Sequence, residues 1–246
     1  MQVGIPKETF PGERRVALVP ADVAKLAKHG IGVIVEPGAG VAAGFPDKAY
    51  EEKGAKLAFS REGAFSAEIV AQVRAGGANP ASVSDAQWLR KDQVLVAAVD
   101  PLGSPQPIAE IAKTGATLFA LELMPRTTRA QAMDVLSSMA NLAGYRAVLL
   151  AAVELPKIFP LMMTAAGTLS ASRVFVIGVG VAGLSAIATA KRLGAVVRAY
   201  DVRPACREQV ESLGAKFVEL PLQITDAQAA GGYAKAQDEA FYQRQR

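Results

Sequence analysis

One cysteine, Cys206, and one histidine, His29, are all that 246 residues hold of two residue types that carry much of redox and acid–base chemistry. A single cysteine excludes an intramolecular disulfide and suits a reducing compartment. A single histidine excludes a His-rich metal centre and argues against a Ser-His-Asp triad, so no metal site is expected. His29 stands just before Gly30 at an expected helix end, where an imidazole interacts favourably with the helix dipole. An excess of one charge is also missing: 27 Lys and Arg face 23 Asp and Glu, and the net charge is +4. The basic residues are scattered and form no stripe interleaved with aromatics, which argues against nucleic acid as a partner. No repeat of solenoid period is visible, and the opening MQVGIPKE has no apolar run of signal-peptide length. The longest apolar stretch, 174–190, approaches the shortest membrane spans in length. It opens like a strand and carries three early glycines, so direct membrane insertion is not expected.

What is present is concentrated in SRVFVIGVGVAGLSAIATAKRLGAVVRAYD, residues 172–201. Val174–Ile177 is a short β-branched run of the kind buried on both faces of a parallel sheet. Gly178, Gly180 and Gly183 follow in GxGxxG spacing, and a small-residue helix runs to the stop at Gly194. Val196–Tyr200 reads as the next strand, closed by Asp201 eighteen positions after Gly183. In a dinucleotide fingerprint the first glycine permits the tight turn, the second lets backbone approach a pyrophosphate, and the third lets helix pack on strand. The pyrophosphate then sits at the positive helix end. Asp201 would accept hydrogen bonds from a ribose 2′-OH and repel a 2′-phosphate, which favours NAD over NADP.

Elsewhere strands and helices alternate. Strands are expected at 3–5, 31–35, 56–58, 69–73, 94–99 and 116–121, and helices at 20–29, 47–53 and 105–113. A long helix should run from Thr128 to about Glu154 and link two domains; Met163–Thr168 then returns the chain to the glycine-rich strand. The alternation implies parallel, helix-covered sheets. The expected fold is α/β, with two Rossmann-like doubly wound parallel-sheet domains: residues 1–145, ending in the linking helix, and residues 146–246. The latter domain is expected to be incomplete toward the C-terminus, because after Asp201 only 217–220 reads clearly as a strand.

Several stretches together resemble one family: GIPKE at 4–8, RRVALVP at 14–20, VEPGAG at 35–40, PRTTRAQAMDVLSSMANLAGYRAV at 125–148, TAAGT at 164–168, GVGVAG at 178–183, YDVRP at 200–204 and GGYAK at 231–235. This is similar to the NAD(H)-binding component of proton-translocating nicotinamide nucleotide transhydrogenases, which share two-domain ancestry with alanine dehydrogenases. The resemblance implies hydride transfer from NADH to NADP⁺. It also implies NADP(H)-binding and membrane-spanning partner subunits, a homodimer, and a cytoplasmic position, peripheral at the inner face of the cell membrane.

For single residues it implies that Arg126, Gln131 and Asp134 form a polar loop around the nicotinamide and its ribose, with Thr127 and Thr128 alongside and Ser137 nearby. Val181 and Ala182 would touch the cofactor within the glycine turn. Asp201, Val202 and Arg203 would surround the adenosine ribose, and Gly232 and Tyr233 would belong to a loop closing over bound nucleotide. Direct hydride transfer between nicotinamides moves no proton onto a substrate oxygen, so it needs positioning more than a general acid. Alanine dehydrogenases instead carry a catalytic His where Asp100 stands and a substrate-binding Lys where Arg74 stands. Arg15 matches one of their carboxylate ligands, although a buried structural ion pair is the expected role here. The rival readings are an alanine dehydrogenase-like oxidoreductase and a non-catalytic NAD-binding module.

Overall fold

The computed structural model describes residues 1–220, 234, 235, 239, 240 and 243. The chain divides into two compact units, Met1–Pro125 and Arg126–Arg246.

In the first unit six strands form one parallel sheet in the order β3-β2-β1-β4-β5-β6. They are β1 (Gln2–Ile5), β2 (Gly32–Val35), β3 (Lys56–Leu57), β4 (Ile69–Arg74), β5 (Val94–Ala98) and β6 (Thr117–Ala120). The helices between them are α1 (Pro20–Lys28), α2 (Asp47–Glu51), α3 (Arg61–Phe65) and α4 (Pro105–Lys113). Pro20 occupies the first position of α1, where its missing N–H costs nothing. The sheet order reverses at β1, whose Val3 pairs with Val33 on one side and Ile69 on the other. Val3, Ile5, Val33, Val35 and Tyr50 form one core layer, and Phe65, Val70, Leu95, Val99 and Ile111 the other. The helix α3 is absent from the sequence expectation. Ser60 caps it by accepting from the Gly63 N–H, and it lies so close to β1 that a Cβ on Gly4 would stand 1.8 Å from the Ala64 carbonyl oxygen.

The second unit holds α5 (Val135–Glu154), the antiparallel hairpin β7 (Met162–Thr164) and β8 (Gly167–Leu169), and then β9 (Arg173–Ile177), α6 (Val181–Arg192), β10 (Val196–Tyr200), α7 (Arg207–Ser212) and β11 (Lys216–Phe217). The strands β11-β10-β9 form a parallel sheet, with Val197 paired to Val174 and Arg198 to Lys216. The strand expected at 217–220 is therefore shorter and starts one residue earlier. Val148, Val179, Ile187, Val197, Ala199 and Val210 make the core.

Three expectations need correction here. The helix expected from Thr128 is broken: residues 128–133 form a 3-10 segment, and α5 begins only at Val135 because Asp134 turns out of helical geometry and caps it. The strand β9 is not buried on both faces. Val174 and Val176 pack into the core, but Phe175 and Ile177 are 54% and 70% exposed, because the sheet face they share with Val196 and Arg198 of the central strand β10 is left largely uncovered among the described residues. The segment 163–168 is not a simple return but most of the β7–β8 hairpin. The packing of α5 on α6 also groups that helix with the second sheet, so the contact boundary falls at 125/126. Over its 20 residues α5 is long and apolar enough to cross a membrane by length and composition.

Candidate nucleotide-binding site

The site begins with the turn after β9. The Gly178 N–H donates to the Tyr200 carbonyl at 2.8 Å, which ties the turn to the end of β10. Gly178 sits at φ +90°, a conformation that strains any side-chain-bearing residue. Gly180 then caps α6 without any side-chain hydrogen bond to the helix end. A Cβ built on Gly178 or Gly180 meets nothing within 4 Å, so bare backbone faces open space there. Gly183 is the opposite case: a Cβ would lie 1.9 Å from the Gly178 carbonyl oxygen, because α6 rests directly on the turn. The three glycines thus separate into two that leave room for a ligand and one that permits packing, as a pyrophosphate cradle requires.

A second helix approaches the same place. A Cβ on Gly144 of α5 would stand 2.0 Å from the Ala182 carbonyl oxygen of α6, and the Ser185 hydroxyl donates to the Asn141 carbonyl at 2.8 Å. Sequence reading misses Gly144. Its signal is the small-residue stripe Ala140, Ala143, Gly144 and Ala147, which lets two helix backbones come together. Between α5, β9 and the start of α6 lies an open cleft of about 650 Å³, lined by that stripe and by Gly178, Gly180, Val181, Ala182 and Gly183.

Polar groups stand at the cleft in one cluster. Arg126 and Ser137 line it, and Asp134 joins them. Asp134 Oδ1 accepts the Ser137 N–H at 2.9 Å and Oδ2 accepts the Ser137 hydroxyl at 2.7 Å, the geometry of a helix N-cap. Arg126 Nη2 donates to Ser137 Oγ at 2.9 Å and to Asp134 Oδ2 at 3.3 Å. The Ser137 hydrogen bonds first, then the Arg126 charge, hold the Asp134 carboxyl below its usual range. Thr127, Thr128 and Gln131 are exposed on the preceding turn and do not line the cleft. Gly232 and Tyr233 lie outside the described residues.

Asp201 is 4% exposed at its side chain and fully engaged. Oδ2 accepts the Val179 N–H at 2.7 Å, and Oδ1 accepts the Arg203 N–H at 2.8 Å. The Arg203 guanidinium adds Nε to Oδ1 at 2.8 Å and Nη2 to Oδ2 at 2.9 Å. Burial pushes the Asp201 pKa up, but these hydrogen bonds outweigh it and leave the carboxyl below its ordinary value. Val202 is partly buried beside it. Cys206 is buried, its Sγ 3.8 Å from the Val179 carbonyl, and burial raises the thiol pKa.

Both halves of the chain match known family models: the N-terminal domain of alanine dehydrogenase/PNT over residues 4–143 and the C-terminal domain over 147–244. The chain belongs to the alanine dehydrogenase/PNT family. It is 48% identical over 247 aligned positions to the first of the chains that make up the NAD(P) transhydrogenase alpha subunit of Rhodospirillum rubrum, an alignment that takes in all of this chain and 64% of that one. The crystal structure of a transhydrogenase from Sinorhizobium meliloti superposes with a TM-score of 0.84 at 51% identity, covering 89% of this chain and 64% of that one. Alanine dehydrogenase of Bacillus subtilis is 30% identical over 93% of this chain and 60% of its own length. The chain thus spans less than two thirds of the length of these relatives.

The alanine dehydrogenase branch directs attention to three residues of the first unit. Arg15 is clamped by Glu13, with Nε to Oε1 at 2.7 Å and Nη2 to Oε2 at 2.6 Å, although its side chain remains 41% exposed. Arg74 lies 4.0 Å over the ring of Phe10 and 3.9 Å from Glu13. Asp100, at φ +51°, accepts from the Gly103 N–H and the Ser104 hydroxyl and so caps its own turn. Each is occupied locally.

Proposed function

We propose that this chain is the NAD(H)-holding part of a transhydrogenase that passes hydride from NADH to NADP⁺, coupled to proton translocation by a membrane-spanning partner. The observation that carries the reading is the convergence of the glycine turn, the start of α6 and the Arg126–Asp134–Ser137 cluster on one cleft, in a chain 48% identical to a transhydrogenase alpha subunit. The open backbone at Gly178 and Gly180 fits a pyrophosphate, and the uncapped start of α6 supplies N–H donors and a positive dipole end. In this reading Asp201 recognises the adenosine ribose, with Val202 and Arg203 beside it.

Bound NADH supplies the hydride. Arg126, Asp134 and Ser137 orient the nicotinamide end through hydrogen bonds to carboxamide and ribose; Gln131, Thr127 and Thr128, outside the cleft lining, join them in this reading only if their turn closes on bound nucleotide. Because no proton moves onto a substrate oxygen, these groups act by position. Gly232 and Tyr233 belong to a covering loop in this reading. The second nicotinamide comes from an NADP(H)-binding partner, and the chain works at the cytoplasmic face of a membrane through its partners. A homodimer is supported by the exposed apolar side chains of α5 and the hairpin: Leu142, Tyr145, Val153, Met162, Met163 and Leu169.

Fluorescence titration should show NADH binding more tightly than NADPH. With an NADP(H)-binding component and the full-length context, hydride should pass between NADH and NADP⁺, while the chain alone should not aminate pyruvate. The alanine dehydrogenase reading keeps a hold through the 30% identity. Measured pyruvate amination would establish it in place of ours. NADH binding with neither activity would favour a non-catalytic module.

A further inference from the structure

Two signals that ordinarily oppose each other stand together at the end of β10. An acid at this position selects a free ribose 2′-OH, and a nearby arginine is the residue type that takes up a 2′-phosphate. Asp201 and Arg203 provide both, and they satisfy each other. The guanidinium lies fork-to-fork on the carboxylate at 2.8 and 2.9 Å, with the two side chains 4% and 14% exposed. A bidentate pair of this kind is strong and its charge is internally cancelled. The pair also holds both ends of the residue between the first two glycines: Asp201 accepts the Val179 N–H, and Arg203 Nη2 donates to the Val179 carbonyl at 3.2 Å.

We propose that Arg203 is a specificity-determining residue for the 2′ position, a phosphate receptor that Asp201 keeps masked. A 2′-phosphate meets a neutral ion pair here, and to be bound it must displace a carboxylate from the guanidinium. NADP(H) is rejected by that displacement cost more than by a bare negative charge. The inference rests on the reading of this cleft as a dinucleotide site and names which residue sets its choice.

Asp201→Asn separates the two roles. The amide oxygen can still accept the Val179 N–H, while the amide nitrogen faces the Arg203 N–H and Nε as a donor; the charge that occupies Arg203 is gone, and the melting curves read what the local hydrogen bonds cost. NADH and NADPH are titrated by fluorescence on the wild-type chain, Asp201→Asn, Arg203→Ala and the double variant, with melting curves for each. Asp201→Asn should shift the NADPH-to-NADH affinity ratio toward NADPH by about tenfold, and added salt should diminish the gain. The double variant should lose the gain, and Arg203→Ala alone should bind NADPH no better than wild type. A gain in NADPH affinity that survives in the double variant overturns the proposal. So does a folded Asp201→Asn that weakens both nucleotides equally, since a purely structural brace predicts that result. A wild-type chain that binds neither nucleotide overturns the dinucleotide reading itself and this inference with it.

Discussion

At the carboxyl ends of the strands in Met1–Pro125, charged side chains meet one another; at the carboxyl end of β9 the chain offers bare backbone. Arg61 of α3 illustrates the first arrangement. It reaches Asp85 with Nε at 3.0 Å and Nη2 at 2.6 Å, Glu36 at 3.1 Å and the Lys7 carbonyl at 2.6 Å. Glu8, just after β1, accepts the N–H groups of Val73 and Arg74 at the end of β4. The loops over that sheet are tied down by ion pairs among the chain's own groups. After β9, Gly178 and Gly180 face space that no described side chain fills. A parallel sheet can therefore close the space beyond the carboxyl ends of its strands or keep it open. The difference lies in whether the loop residues are charged partners or glycines.

The sharpest way to break the contrast is Gly183→Ala, whose added Cβ would meet a backbone oxygen at 1.9 Å that cannot yield. We expect a loss of about 4 kcal/mol in stability and loss of NADH binding in consequence. Gly180→Ala is the control: its Cβ has open space and φ is −85°, so melting should stay near wild type while NADH affinity falls. Equal melting losses for the two would show that Gly180 is a packing residue too.

Arg61→Ala tests the closed crevice. It leaves Asp85 and Glu36, 8% and 17% exposed at their side chains, without their cation. A loss of about 3 kcal/mol is expected, with the affinity of the folded protein for NADH unchanged. Chemical denaturation gives the first quantity and titration the second.

Acid should act on the same unit. The Arg15 hydrogen bonds hold the Glu13 carboxyl down at about 2, against the opposing effect of burial, from an ordinary value of 4.5. A carboxylate whose folded pKa is depressed stabilises the fold above pH 4.5, and that stabilisation is lost as pH falls from 4.5 toward 2. Glu8 has the opposite sign: burial raises its pKa, so its protonation as pH falls favours the fold and partly offsets this loss. Glu13→Gln should flatten the acid limb of stability by about 2 kcal/mol, a figure that allows for the partial exposure of Arg15. An unchanged acid limb would mean the clamp is weak in solution.

These cases also mark how far local sequence rules reach. The fingerprint from 172 to 201 is legible because each step obeys such a rule: a β-branched run, glycines at fixed offsets and an acid at the end of the next strand. The limits of α4 and β10 are legible for the same reason, since Pro105 and Gly194 punctuate them. The close approach of α5 to α6 is not, because Gly144 matters only through the Ala182 carbonyl, far away in sequence. Sequence misplaces the start of α5 because Thr128–Met133 has acceptable helical composition, and the break depends on Asp134 turning its side chain to Ser137. The exposure of Phe175 and Ile177 reflects a sheet face that no described element covers, on β10 as on β9, which an apolar run cannot announce. The Asp201–Arg203 pair lies between: the fingerprint and the family resemblance single out both residues for the ribose, but not their mutual engagement.

The smallest structural effect is expected from Asp134→Asn. Asn caps a helix about as well as Asp, and its amide oxygen can keep the Ser137 N–H bond. The melting temperature should therefore not move. What changes is the other oxygen, which accepts from the Ser137 hydroxyl and from Arg126. An amide nitrogen there would face the guanidinium with a donor, so Arg126 would keep Ser137 Oγ but lose the Asp134 carboxylate. If the cluster orients the nicotinamide, while pyrophosphate and adenosine supply most of the binding, NADH affinity should change by less than about threefold and the rate of hydride exchange should fall further. The rate is read in the full-length context with an NADP(H)-binding partner, and the affinity on the same preparation. A variant that loses NADH binding and keeps its rate would place Asp134 among the groups that hold the nucleotide and not among those that aim it.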